Sequence, residues 1–244
     1  MKRVMKKILY TLLFLLPLTV NAGTGRAQLE SADIDLTDSA SLERGARNYV
    51  TYCLGCHAAK HIRYKRIALD LRLDEGNVLK NVAPLGAGIY DQMHSAMNSR
   101  DATKWFGTTP PDLSLIARSR GADWLYTYLK SFYADPGKPS GVNNAVFEDV
   151  AMPNVLWQLQ GTQVAVTKNI DGQTVIAGLK LDEPGQLSPK EFDLFVNDLV
   201  NFLVYVGEPV QLERRSMGKY ALFFILMFTV LAYLLKKEYW KDVH

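Results

Sequence analysis

Only two of the 244 residues are cysteine and only four are histidine. A structural zinc site takes four protein ligands, and a catalytic one takes three and a water. Cys53 and Cys56 are the whole cysteine complement, and His61, His94 and His244 fall outside finger spacing, which argues against zinc. A thioredoxin-type Cys-x-x-Cys follows a strand in a βαβ unit, whereas the residues before Cys53 pattern as a helix. Low-complexity tracts are missing as well, and with 48% apolar residues the chain can bury one substantial core.

A large excess of one charge is also missing once the two ends are set apart. Lys2, Arg3, Lys6 and Lys7 precede a short apolar run, Ile8–Val20, and Val20-Asn21-Ala22 fits the −3 and −1 positions of a cleavage site. Residues 1–22 are therefore expected to be a secretory signal peptide, the run being short for a membrane span. At the other end, Tyr220–Leu235 is an unbroken apolar run that Met217, Gly218 and the stem of Lys219 extend toward the roughly 20 residues a bilayer needs. Tyr239 and Trp240 suit an interfacial belt, with Lys236, Lys237 and Lys241 in the polar layer. The expectation is a transmembrane anchor within 213–244, spanning about 217–235, with a short cytoplasmic tail because the preceding part is exported. The leader holds four basic residues, and 213–244 holds six basic and three acidic ones. Residues 23–212 thus keep 18 basic and 22 acidic side chains, net −4 against +3 for the whole chain. A mildly acidic exported domain argues against nucleic acid and is compatible with a basic protein partner.

What the chain does have is Cys53-Leu54-Gly55-Cys56-His57. Cys-x-x-Cys-His is the attachment signature of a c-type haem. Two thiols three residues apart on one turn can form thioethers with the two vinyl groups of one porphyrin. The imidazole that follows then lies beneath the iron as an axial ligand. A single such motif also counts against multihaem peroxidases.

In chain order, 23–37 is polar and acidic and is expected to run extended over the surface. Ser39-Ala40-Ser41 offers caps for a helix in which Leu42, Ala46, Tyr49, Val50 and Cys53 share a face. Residues 58–83 are rich in Arg and Lys with helical stretches between. Pro110-Pro111-Asp112-Leu113-Ser114 is a rigid entry to a helix starting at Asp112 and stopped by Gly121. A second helix follows over Asp123–Phe132, with Asp123 as its N-cap and Leu125, Tyr128, Leu129 and Phe132 as its apolar side. Arg118 and Arg120 lie between the two, either exposed or serving the haem propionates, which guanidinium matches well. Residues 134–145 are too rich in Pro, Gly and Asn to be regular. Alternation over Gln163–Leu181 around Asp171-Gly172 predicts a small β-hairpin. Ser188, Pro189 and Glu191 mark the start of a helix by cap, first-turn proline and capping box. Phe192, Phe195, Val196, Leu199, Phe202, Leu203 and Val206 form its apolar stripe, and Gly207 and Pro209 end it.

An electron-transfer haem needs a second axial ligand that closes the iron to substrates. The candidates are Met93, Met97, Met152, His61 and His94. His61 lies four residues after His57 and shares its side of the ring. Met152 is favoured by spacing, since it follows a long loop and Pro153 stiffens its backbone. The expected fold is mainly α, a class-I-like c-type cytochrome fold with long loops and a small β-hairpin, plus the C-terminal transmembrane helix.

These motifs together resemble the cytochrome c1 family, the haem subunit of the quinol–cytochrome c oxidoreductase (bc1) complex of the respiratory chain, in its compact proteobacterial form. The resemblance rests on Tyr52–His57, on Trp105-Phe106-Gly107 leading to Pro110–Ser114, and on Ala117–Asp123. It also rests on Ala151-Met152-Pro153 with Val155-Leu156-Trp157, and on the anchor ending Tyr239–His244. It implies covalent haem c on Cys53 and Cys56, axial His57 and Met152, and a propionate partner at Arg120, with Arg118 as the alternative. It implies cytochrome b and the Rieske iron–sulfur protein as partners, and a soluble or tethered c-type cytochrome as acceptor. The expected location is the bacterial inner membrane with the haem domain in the periplasm, and the chain would relay electrons without substrate chemistry or catalytic residues of its own. The rivals are a tethered cytochrome subunit of a different oxidase or dehydrogenase, a haem enzyme or sensor with an open distal site, and a haem-free thiol–disulfide protein.

Overall fold

The computed structural model describes residues 28–170 and 173–241. The expected leader and the expected turn at Asp171-Gly172 lie outside them, as do residues 23–27 and 242–244.

Two helices cross to form the centre of the core. Helix α1 (Ser39–Tyr52) buries Leu42, Ala46 and Tyr49, and helix α8 (Pro189–Gly207) buries Phe192, Val196, Leu199, Phe202, Leu203 and Val206. Gly45 permits the close approach: a Cβ there would stand 2.1 Å from the Asp198 carbonyl oxygen. Beside that contact Arg44 donates to both Asp198 carboxylate oxygens, at 2.6 and 2.8 Å. Tyr49 and Phe202 meet with ring centroids 5.7 Å apart. The start of α8 carries its full capping box, Ser188 and Glu191 each bonding the other's backbone N–H.

Sequence pattern misplaces several shorter boundaries. The N-cap of α1 is Asp38, which accepts from Ser41 N–H, so the serines lie inside the helix. Within 58–83 the first element is strand β1 (Ala59–Arg63), followed by α2 (Tyr64–Leu71) and α3 (Glu75–Asn81). β1 is antiparallel to the short β2 (Gln92–Met93). After α4 (Ser99–Phe106) the proline segment stays non-helical through Leu115, because Asp112 turns its carboxylate onto Ser114 N–H and forms a local turn. Helix α5 is only Ile116–Arg120, and Gly121, at φ 90°, separates it from α6 (Ala122–Lys130). Asp123 does not cap α6; it accepts instead from Ala32 N–H of the extended N-terminal segment.

Two hairpins complete the domain. The stretch expected to be irregular carries β3 (Phe132–Ala134) and β4 (Val142–Asn144) at its ends, paired antiparallel. A short α7 (Trp157–Gln160) leads into β5 (Gly161–Ile170) and β6 (Gln173–Pro184). That hairpin is longer than the small excursion expected, since backbone pairing continues beyond Gln163–Leu181 to Gly161 and Pro184, where the sequence no longer alternates.

Helix α9 (Gln211–Tyr239) is 29 residues long, about 43 Å at 1.5 Å per residue, against about 30 Å of bilayer hydrocarbon. It is the one helix among the described residues long and apolar enough to cross a membrane, and its apolar window packs against no other part of the chain. Where it leaves the domain, Glu208 pairs with both Arg118 and Arg214.

Candidate functional site

The Cys-x-x-Cys-His segment folds as a turn continuing α1. Cys53 N–H bonds back to Tyr49 C=O, and Cys56 and His57 N–H both bond to Cys53 C=O, at 3.0 and 2.8 Å. Tyr49 fastens the turn again, its hydroxyl donating to His57 C=O at 2.8 Å. Burial pushes the Cys53 thiol up to about 12, so it stands as S–H. Burial also lowers the His57 pKa, against a smaller opposing effect of its bond to Pro111. That bond, Nδ1 to the Pro111 carbonyl at 2.8 Å, makes Nδ1 the protonated nitrogen and leaves Nε2 with a free lone pair. Pro110-Pro111 therefore aims the imidazole, a role that its stiffness hinted at and its sequence did not state.

Cys53, Cys56 and His57 line a cavity of about 300 Å³ whose walls are overwhelmingly apolar. Leu199 and Leu203 of α8, Leu125 and Leu129 of α6, and Pro110, Pro111 and Leu113 contribute to it. So does Met152, half-buried in the loop before α7. The other sequence candidates lie elsewhere: Met93 is fully buried in the core on β2, Met97 is half-buried after β2, and His61 and His94 are exposed. Of the two arginines, Arg120 lines the cavity, its guanidinium 5.1 Å from the Trp124 ring centroid and 5.9 Å from that of Phe147. Arg118 is committed to Glu208 at 2.7 Å. A larger cavity of about 570 Å³ sits under the β5–β6 hairpin, where Lys130 is neutralised by Glu30 and Asp193, away from both cysteines.

The loop that carries Met152 is pegged by two asparagines that the sequence offered only as breakers. Asn144 donates to Tyr128 C=O at 2.8 Å and accepts from Val146 and Phe147 N–H; Asn143 accepts from Asp149 N–H at 2.9 Å. Tyr128, which the helical pattern marks only as apolar face, points its hydroxyl at Met152 Sδ, 3.3 Å away.

The donor set and the apolar lining fit a haem: two thiols at the attachment spacing, an imidazole with Nε2 free, a thioether, and a guanidinium, all on one cavity. That site in a mainly helical chain, which also carries one helix long and apolar enough to cross a membrane, defines a c-type cytochrome. A family model described as the Cytochrome C1 family matches residues 86–243. The curated "Cytochrome c1" of Allochromatium vinosum is 52% identical over 242 residues, covering 98% of this chain and 99% of that one. The "Ammonia monooxygenase gamma subunit" of Nitrosomonas europaea is 43% identical over 240 residues, with 98% and 99% covered. A solved chain titled "Hyperthermophilic respiratory Complex III" aligns over 100% of both chains at 16% identity and TM-score 0.46, a likeness too loose to define a fold. The chain belongs to the cytochrome c1 family in its bacterial form, and is a c-type haem protein with covalently bound haem.

Proposed function

We propose that this chain is the one-electron relay subunit of a quinol–cytochrome c oxidoreductase, passing electrons from a Rieske iron–sulfur protein to a c-type cytochrome. The observation that carries it is the convergence of Cys53, Cys56, His57 and Met152 on one apolar cavity, in a chain of this family. Cys53 and Cys56 would hold the haem covalently through their two sulfurs. His57, fixed by Pro111, would offer Nε2 to the iron, and the Met152 thioether would be its other protein ligand. Bound there, the haem supplies a single Fe(III)/Fe(II) couple. Two protein ligands leave no position for a substrate, so this chain contributes no bond-making chemistry. The leucines and prolines of the cavity keep water from the iron, and a low-dielectric lining disfavours the more highly charged ferric state. Arg120 places a cation at the cavity for the propionates, while Arg118 holds the domain to the anchor through Glu208.

The same reading assigns 1–22 as a cleaved leader, 23–212 as a periplasmic haem domain and 213–244 as a single-pass anchor of the inner membrane with a cytoplasmic tail. Cytochrome b and the Rieske protein are its partners, and a soluble or tethered cytochrome its acceptor. Gentle detergent purification of the tagged full chain tests this: cytochrome b and the Rieske protein are expected to co-purify. The relative named as an ammonia monooxygenase subunit favours one second reading, a tethered cytochrome of another oxidase. Co-purification with monooxygenase subunits in place of cytochrome b would favour that reading.

A further inference from the structure

Arg120, Trp124 and Tyr128 recur every four residues and stack into a column. The guanidinium carbon of Arg120 lies 5.1 Å from the Trp124 ring centroid, and the Trp124 and Tyr128 rings are parallel within 9° at 4.9 Å. Phe132 closes the column with its ring at 67° to Tyr128 and 5.3 Å away. Asn144 holds the backbone of Tyr128 through the carbonyl. Trp124 and Tyr128 both line the cavity, and the Tyr128 hydroxyl ends on Met152 Sδ at 3.3 Å. A thioether is a weak acceptor, so a phenol held to it this firmly serves the sulfur more than it serves the phenol.

We propose that Tyr128 is a positioning residue for Met152: its hydroxyl fixes the orientation of the thioether and raises the reduction potential of the site. The inference rests on Met152 being the axial ligand, as proposed above. A thioether sulfur has two lone pairs. One can bind iron while the other accepts from the phenol, which locks rotation about the last side-chain bond. Donation from the phenol withdraws electron density from sulfur. Ferric iron depends on that density more than ferrous iron does, so the hydrogen bond favours the reduced state. Trp124 keeps the Tyr128 ring from turning away, and Arg120 keeps Trp124 in place.

Redox titration of the full-length haem-loaded protein in detergent tests this, following the visible bands and the weak sulfur-to-iron charge-transfer band at the red end of the oxidised spectrum. Tyr128→Phe is expected to keep the charge-transfer band while raising the oxidised-to-reduced ratio at the parent's midpoint about three- to tenfold, tenfold being 59 mV for one electron. Site-specific replacement of Tyr128 by a monofluorinated tyrosine strengthens the donor at nearly unchanged shape; in mildly acid buffer it is expected to move the ratio the opposite way. If Tyr128→Phe yields no folded protein, the fluorinated form decides alone. A potential unchanged in Tyr128→Phe, or displaced in the same direction by both replacements, would overturn the proposal. Met152→Leu separates the two readings. Retention of the band and potential there removes Met152 as ligand, whereas their loss beside an unresponsive Tyr128→Phe sinks only the role of Tyr128.

Discussion

The wall of the cavity that carries Cys53 and His57 grows directly out of the α1–α8 crossing, where Tyr49, Val196, Leu199 and Phe202 are sealed from solvent. The wall that carries Met152 is a run of turns in which Phe147 stays 45% exposed, and Trp157, at the start of α7 just beyond it, is 56% exposed. Hydrophobic burial holds the first: many side chains share the load, and each contributes roughly 1.5–3 kcal/mol. A handful of hydrogen bonds from Asn143, Asn144 and Tyr128 holds the second, each worth about 1 kcal/mol net. Attachment is thus built into the most stable part of the domain. On the ligation proposed above, the side that would set the potential lies on a softer segment, where small changes can adjust it without endangering the fold.

Removing one thiol gives the largest effect. Cys56→Ala is expected to abolish double thioether attachment, read as a change in the haemochrome spectrum and a sharp fall in haem retained on denaturing gels. Next comes the crossing itself. In Gly45→Ala the added methyl meets the Asp198 carbonyl at 2.1 Å, so α1 and α8 must separate. The expected loss is about 3 kcal/mol or more, visible as a lowered denaturation midpoint. On the softer wall, Asn144→Ala strands two backbone N–H groups and leaves the Tyr128 carbonyl with Ser131 N–H as its donor. About 2 kcal/mol should be lost, with the Met152 spectral signature weakened while thioether attachment persists. If Asn144→Ala left that signature intact and Gly45→Ala abolished it, the division of labour between the walls would be reversed. Smallest is Ser188→Ala, which removes the α8 cap and should cost about 1 kcal/mol without altering the visible spectrum.

The same physical difference decides what the sequence made legible. α8 could be read almost to the residue, because Ser188, Pro189, Glu191 and its stripe are local signals that tertiary packing reinforces. The same holds for the Cys-x-x-Cys-His turn, whose spacing is dictated by the chemistry. The loop wall was different. Asn143 and Asn144 look like breakers, and only their partners 2 to 16 residues away turn them into pegs. Asp123 had the right type for a cap, yet a backbone N–H from residue 32, far away in sequence, claimed its carboxylate. β1 was hidden among basic residues because its pairing partner, β2, is only two residues long and 29 positions further on. Tyr128 was placed on the buried face correctly, but periodicity cannot say that its hydroxyl meets a sulfur.

Carbon monoxide binding to the reduced, full-length protein at neutral pH tests most directly whether the loop wall closes the iron. The parent is expected to show no spectral change on adding carbon monoxide, and Met152→Leu to bind it readily, with its potential lowered by on the order of 0.2 V out of the roughly 0.8 V that axial ligation spans. Ready binding by the parent, or a Met152→Leu protein indistinguishable from it, would contradict the account.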